Sequence, residues 1–170
     1  MNSVPKLFFL YAHPCGDVLV RRGKVRKEEL AELRNMLRCG SVSKLNPLIF
    51  SKAITQLEEY AKRKRGKITR KLVHEYFTTQ HNAYVLEVAK KRRDVKPERC
   101  FISPAVVIGI SGKNARVLTP FGYRNIINEF VPNLKIGDLV STHYNYACEK
   151  ISFDGFKRLW REVEGYEREK

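Results

Sequence analysis

The chain has 170 residues, 43% hydrophobic and 30% charged, enough apolar content for a packed core in one ordinary domain or two small ones, and it reads as a folded, soluble protein. Net charge is +15, and it is uneven: residues 1–99 carry 23 basic and 10 acidic side chains, residues 100–170 carry 10 and 8, so a field that attracts nucleic acid, anionic membrane or acidic protein belongs to the first half. The four cysteines, Cys15, Cys39, Cys100 and Cys148, form no Cys-x-x-Cys pair, which excludes a zinc ribbon or a disulfide-dense secreted scaffold and points to a reducing cytoplasm.

In chain order, the apolar run Leu7–Ala12 is far shorter than the roughly 20 residues that span a bilayer and lacks a cleavage pattern. It reads as a buried strand or helix, with no membrane insertion. Leu30, Leu33 and Leu37 predict a short helix ending near Cys39-Gly40, with Arg26 a poor cap for its start. Asn46-Pro47 is a good cap and first-turn pair for an amphipathic helix over roughly 47–64, carried by Leu48, Ile49, Ala53, Leu57, Tyr60 and Ala61. Thr69 caps a segment with Leu72, Val73, Tyr76 and Phe77, and helical spacing resumes through Tyr84, Val85, Val88 and Ala89.

Periodicity is lost over Arg92–Arg99, which contains Pro97, so the domain boundary falls there: a basic, mainly helical domain over 1–96, then a second over 97–170. Beyond it the rhythm is that of strands. Branched residues fill Ala105–Ile110, Ser111–Asn114 is a turn, and Ala115–Thr119 follows; further strands lie near Asn125–Phe130, Leu139–His143 and Ala147–Ile151. Five short strands in about 50 residues suit a small closed barrel. Ser152 then caps a last helix whose stripe is Phe156, Leu159, Trp160 and Val163. The expected fold class is α+β, a helical bundle followed by a small OB-like barrel with a C-terminal helix.

Chemistry concentrates on few residues. Nothing matches a Walker loop, a dinucleotide fingerprint, a nucleophile elbow or a His-Glu-x-x-His helix, so an independent enzyme is not expected. Cys100 opens the first strand beside Arg99, where a thiolate is a soft metal ligand, while the plain alternative is a small buried hydrophobe. His143 is either a hydrogen-bonded strand residue or a second ligand. His13 and Cys15, two residues apart, and His81 are weaker candidates for a transition-metal site; the plain reading of the first two is a turn with a packed cysteine, and His74 looks like surface. The runs Lys62, Arg63, Lys64, Arg65, Lys67 and Lys90, Lys91, Arg92, Arg93 invite a nucleic-acid reading, but each sits at a predicted helix C-terminus, where cations complement the dipole. Tyr123-Arg124 and Tyr144-Asn145-Tyr146 offer exposed aromatics for the same purpose.

Cys100, Pro104, Phe121-Gly122 with Arg124, Val131-Pro132, Gly137-Asp138, His143, Ala147 and Glu149-Lys150 follow in one order and spacing. That series, about a third of the chain, resembles the HypC/HupF family of hydrogenase maturation chaperones. Here the cysteine is internal, and Ala105 stands where the family has glycine. The resemblance implies a small barrel that works by protein–protein contact in assembly or escort, with no firmly bound cofactor but a transiently carried iron. It implies Cys100 at the contact and on the iron, and Pro104, Arg124, Gly137 and Asp138 at the partner surface. The implied partners are another maturation factor and the precursor of a nickel–iron hydrogenase large subunit. The competing class is a nucleic-acid-binding module. Composition and spacing leave open which metal, if any, is bound, the oligomeric state and the role of the first domain.

Overall fold

The structure, a computed structural model, describes residues 3–45, 49–93 and 95–167. It divides into two compact units, Met1–Phe77 and Thr78–Lys170. Among the described residues no helix is long and apolar enough to cross a membrane.

The first unit is helical. Helix α1 (Val4–Ala12) is buried all round from Leu7 to Ala12, which is why its sequence shows no polar stripe. Ser3 caps it, its Oγ accepting the Lys6 N–H at 3.3 Å. A three-residue tight turn, His13–Cys15, leads into α2 (Gly16–Arg21). A Cβ on Gly16 would stand 2.4 Å from Leu30 Cδ1, so this glycine permits α2 to approach α3 (Lys27–Cys39). Leu30, Leu33 and Leu37 of α3 are buried, as their spacing predicts. Arg26 is indeed no side-chain cap; Glu29 does the work from inside the helix, its carboxylate accepting the Arg26 N–H at 3.0 Å and pairing with the guanidinium at 2.8 Å. That contact holds the Glu29 carboxyl below its ordinary value.

The expected Asn46-Pro47 start of the next helix lies outside the described residues; the helix described is α4 (Ser51–Arg63), buried at Ile54, Leu57, Tyr60 and Ala61. Helix α5 (Arg70–Glu75) is capped by Thr69, whose Oγ1 accepts the Leu72 N–H at 3.2 Å. His74, expected at the surface, is half-buried with its ring edge-on to Tyr11 at 5.8 Å. The helix then widens into a π-helical stretch, Tyr76–His81, inside which the two units divide, and continues as α6 (Asn82–Lys91).

The sequence places the boundary at Pro97, nineteen residues beyond Thr78, where the second unit begins. One side chain shows why α6 travels with the strands. Asn82 is wholly buried; its Nδ2 donates to the Ile102 carbonyl at 3.1 Å and its Oδ1 accepts the Ile102 N–H at 2.8 Å, so an amide stands in for a ladder partner. The stretch read as a linker contains α7 (Pro97–Cys100), a single turn.

The rest of the second unit is the expected barrel: β1 (Ser103–Ser111), β2 (Asn114–Thr119), β3 (Gly122–Ile127), β4 (Leu139–His143) and β5 (Tyr146–Lys150), followed by α8 (Phe153–Glu167). The order around the closed barrel is β1-β2-β3-β5-β4, and β4 returns to β1 through Ser103↔Thr142 to Val106↔Leu139. All pairs are antiparallel except β3–β5, which meet in parallel at Ile127↔Tyr146 alone. Alternate residues turn inward, and the core is small: Ala105, Val107, Ala115, Val117, Ile126, Val131, Val140 and Ala147, with Leu134 against it.

The third strand starts at Gly122, three residues earlier than the sequence suggests. Thr119 explains the shift. Its Oγ1 accepts the Phe121 N–H at 3.1 Å and donates to the Gly122 carbonyl at 2.9 Å, closing a tight turn that returns the chain to the ladder at once. Ser152 starts α8 as expected, its Oγ accepting the Gly155 N–H at 3.2 Å.

Candidate metal centre

Two backbone corners of the second unit carry the candidate ligands. Cys100 ends α7, just before the chain straightens into β1; His143 ends β4, and the turn residue Tyr144 takes a left-handed conformation, φ +49°, to reverse the chain. These corners are tied together. The Tyr144 N–H donates to the Arg99 carbonyl at 3.0 Å, and the Arg124 guanidinium reaches both sides, donating to the Glu98 carbonyl at 3.1 Å and the Tyr144 carbonyl at 2.7 Å. Burial and the charge of Arg99 lower the Arg124 pKa, yet a guanidinium stays protonated. Arg124, expected at a partner surface, is thus a clamp that sets the spacing of Cys100 and His143.

Between the corners Cys100 Sγ lies 3.9 Å from His143 Nε2. The His81 ring stands edge-on to His143, centroids 4.9 Å apart, and its Nδ1 is 3.4 Å from Asn82 Oδ1. One donor atom from each of Cys100, His81 and His143 lies within 4.8 Å of the others. Metal–sulfur bonds of about 2.3 Å and metal–nitrogen bonds of about 2.0 Å in a tetrahedral site place S and N about 3.6 Å apart, so the observed pair needs only a small contraction. This cluster can hold a metal ion. Soft sulfur with two imidazoles suits zinc, iron, copper or nickel over magnesium or calcium.

The group is withdrawn from solvent: His143 is 0% and Cys100 8% exposed, while His81 is half-buried. The Cys100 sulfur is therefore nearly covered, with the His143 imidazole beside it. Cys148 provides the contrast. It is buried in the barrel wall, where desolvation and then Glu149 push its thiol well above the ordinary value, so it is inert as a ligand.

The remaining predicted residues of the second unit do not join this group. His13 and Cys15 belong to the first unit, where His13 is buried and Cys15 half-buried in the tight turn before α2. Pro104 is buried in β1 opposite Ser141, so it offers no surface to a partner. Gly137, φ +90°, is exposed and makes the turn before β4 that a side chain would strain. Asp138 serves that same turn, accepting the Lys135 N–H at 2.7 Å and pairing with Lys150 at 2.7 Å. The basic runs are exposed, and part of the first is used locally: Lys64 pairs with Glu75 at 2.8 Å, and Arg63 and Lys64 both cover the Tyr60 ring.

Lys150 and then the Lys135 N–H lower the Asp138 pKa, so the pair stabilises the folded state above the ordinary carboxylate range. That contribution is lost as pH falls through the lowered folded value. Asp138→Asn is expected to remove this part of the acid sensitivity, so that denaturant midpoints of variant and wild type converge as pH drops below about 4. Midpoints that differ equally at every pH would contradict the assignment.

Comparison with known proteins finds no matching family model, no matching curated protein and no matching solved structure. Sequence reasoning singled out Cys100 and His143 but gave Asn82 no role of its own and ranked His81 low. The adjacent pair His81-Asn82 was visible between two helical segments, yet nothing local marked a side chain that bonds backbone twenty residues on.

Proposed function

We propose that this protein is a metal-ion carrier that works in the assembly of a metallocentre on another protein, using Cys100 and His143 with His81 as third donor. The observation that carries the reading is the 3.9 Å approach of a cysteine sulfur and a histidine nitrogen held by a dedicated arginine clamp. Thiolate and imidazole donors bind soft transition metals and can exchange them with another protein's donors, which delivery requires.

The finer reading takes iron as the cargo and a nickel–iron hydrogenase large subunit precursor as the client, with another maturation factor as donor and the cytoplasm as the setting. Its support is the ordered series from Cys100 to Lys150 that resembles the hydrogenase maturation chaperones. The first unit has no counterpart in that resemblance; its positive field would steer the carrier toward an acidic client.

An anaerobic pull-down from native lysate, wild type against Cys100→Ala, tests this. Recovery of a hydrogenase precursor or maturation factor by wild type, with loss in the variant, is the expected result. Equal recovery by both, or recovery of no such protein, would remove the hydrogenase reading.

A further inference from the structure

We infer that the outward face of β2 and β3 is a stacking platform for single-stranded nucleic acid, a binding activity separate from the metal centre. Alternation on these strands sends Ala115, Val117 and Ile126 into the core and leaves Arg116, Tyr123 and Asn125 outside. Arg116 and Asn125 are register partners, and Leu118 faces Tyr123 one step along the ladder. The Tyr123 ring is 66% exposed. Arg116 Cζ lies 5.4 Å from its centroid, so the cation covers one ring face. Arg116, Tyr123, Arg124 and Asn125 line a shallow depression here.

Each part suits a nucleotide. A base has a π-face for the tyrosine and for the guanidinium plane, Asn125 carries a donor and an acceptor for a base edge, and the cations meet the phosphate. Charge supports the same occupant. Residues 113–127 hold Lys113 in the turn before β2 and Arg116 on this face with no acidic side chain, whereas residues 128–170 hold seven basic and eight acidic ones, so the face is locally positive. An extended peptide would instead need an open strand edge, and the barrel is closed. Duplex is disfavoured because its bases are already stacked on one another and cannot reach the ring. The platform differs from the basic runs of the helical segments, which offer charge without an arrangement of this kind.

Fluorescence anisotropy of the full-length protein with labelled oligouridine and oligothymidine twelve-mers and a twelve-base-pair duplex decides the matter. Single strands are expected to bind, and to bind more tightly than duplex. Tyr123→Ala should weaken the single-strand complex about tenfold by loss of stacking. Arg116→Ala should weaken it too and reduce the slope of log affinity against log salt by about 0.7, the value for one phosphate contact on a single strand. Lys90→Glu with Lys91→Glu, on α6 and not on β2 or β3, should leave the Tyr123 effect intact. The oligouridine and oligothymidine arms tell whether RNA or DNA is preferred, and either satisfies the proposal. Absence of single-strand binding, equal affinity for duplex, or loss in the Lys90/Lys91 variant with none in Tyr123→Ala would overturn it. Tyr123 is exposed, so its replacement should fold, which circular dichroism confirms before titration.

Discussion

Cys100→Ser and His143→Gln are each expected to lower the affinity of the second unit for a divalent transition metal by at least about 100-fold. Changes to residues that merely orient a ligand typically cost about 10- to 100-fold, and these two would be ligands themselves. Anaerobic titration with cobalt(II) reads the result directly, because a thiolate ligand gives a charge-transfer band that an all-nitrogen site lacks. Wild type should show the band at one equivalent; Cys100→Ser should lose it, and His143→Gln should weaken binding with the band retained at saturation. Cys39→Ser, an exposed residue outside the group, should titrate like wild type. Cys15→Ser in the same series reads whether the first unit supplies a further ligand. Should Cys100→Ser retain both band and affinity, the carrier reading fails at its centre.

Asn82→Ala should strongly destabilise the second unit. The side chain is fully buried, and its loss strands two buried backbone groups of Ile102, the N–H and the carbonyl. An unmet buried group costs about 1–3 kcal/mol, so the pair places the loss at about 2–6 kcal/mol. Urea denaturation measures the total, and hydrogen exchange at the Ile102 amide localises it. Asn82→Asp keeps the acceptor but sets a buried carboxylate oxygen against the Ile102 carbonyl, so at neutral pH it should destabilise at least as much as alanine, with partial recovery as falling pH protonates the carboxyl. A change below about 0.5 kcal/mol with unaltered exchange at Ile102 would mean that solvent or a neighbour replaces the amide.

What could be read in advance follows from the range of the forces involved. The leucines of α3 and the branched residues of β1 declare themselves because burial repeats along the element that it stabilises. The third strand was displaced by three residues because a threonine hydroxyl, and no hydrophobic pattern, determines where the chain re-enters the ladder. The division into compact units falls at Thr78 and not at Pro97, and the bond from Asn82 to Ile102, across twenty positions, leaves no periodic trace in the sequence. The candidate metal centre divides in the same way. Cys100 and His143 stood out by residue type, but Arg124 as their clamp depends on two carbonyls, at Glu98 and Tyr144, that any sequence would possess. Asp138 and Pro104 were marked for contact with others and turn out to shape the turn and wall of their own barrel.

The single parallel step between β3 and β5 gives the barrel a weak join. Neighbouring strands elsewhere are stitched by four to six paired positions, whereas this pair has only Ile127↔Tyr146, beside the 2.6 Å bond from the Ile127 N–H to the Asn145 carbonyl. Asn145 is two residues from His143. Parting the wall at that point breaks the fewest hydrogen bonds and loosens the corner from which the His143 imidazole hangs, so a local opening there would disturb the candidate metal centre before the rest of the barrel came apart.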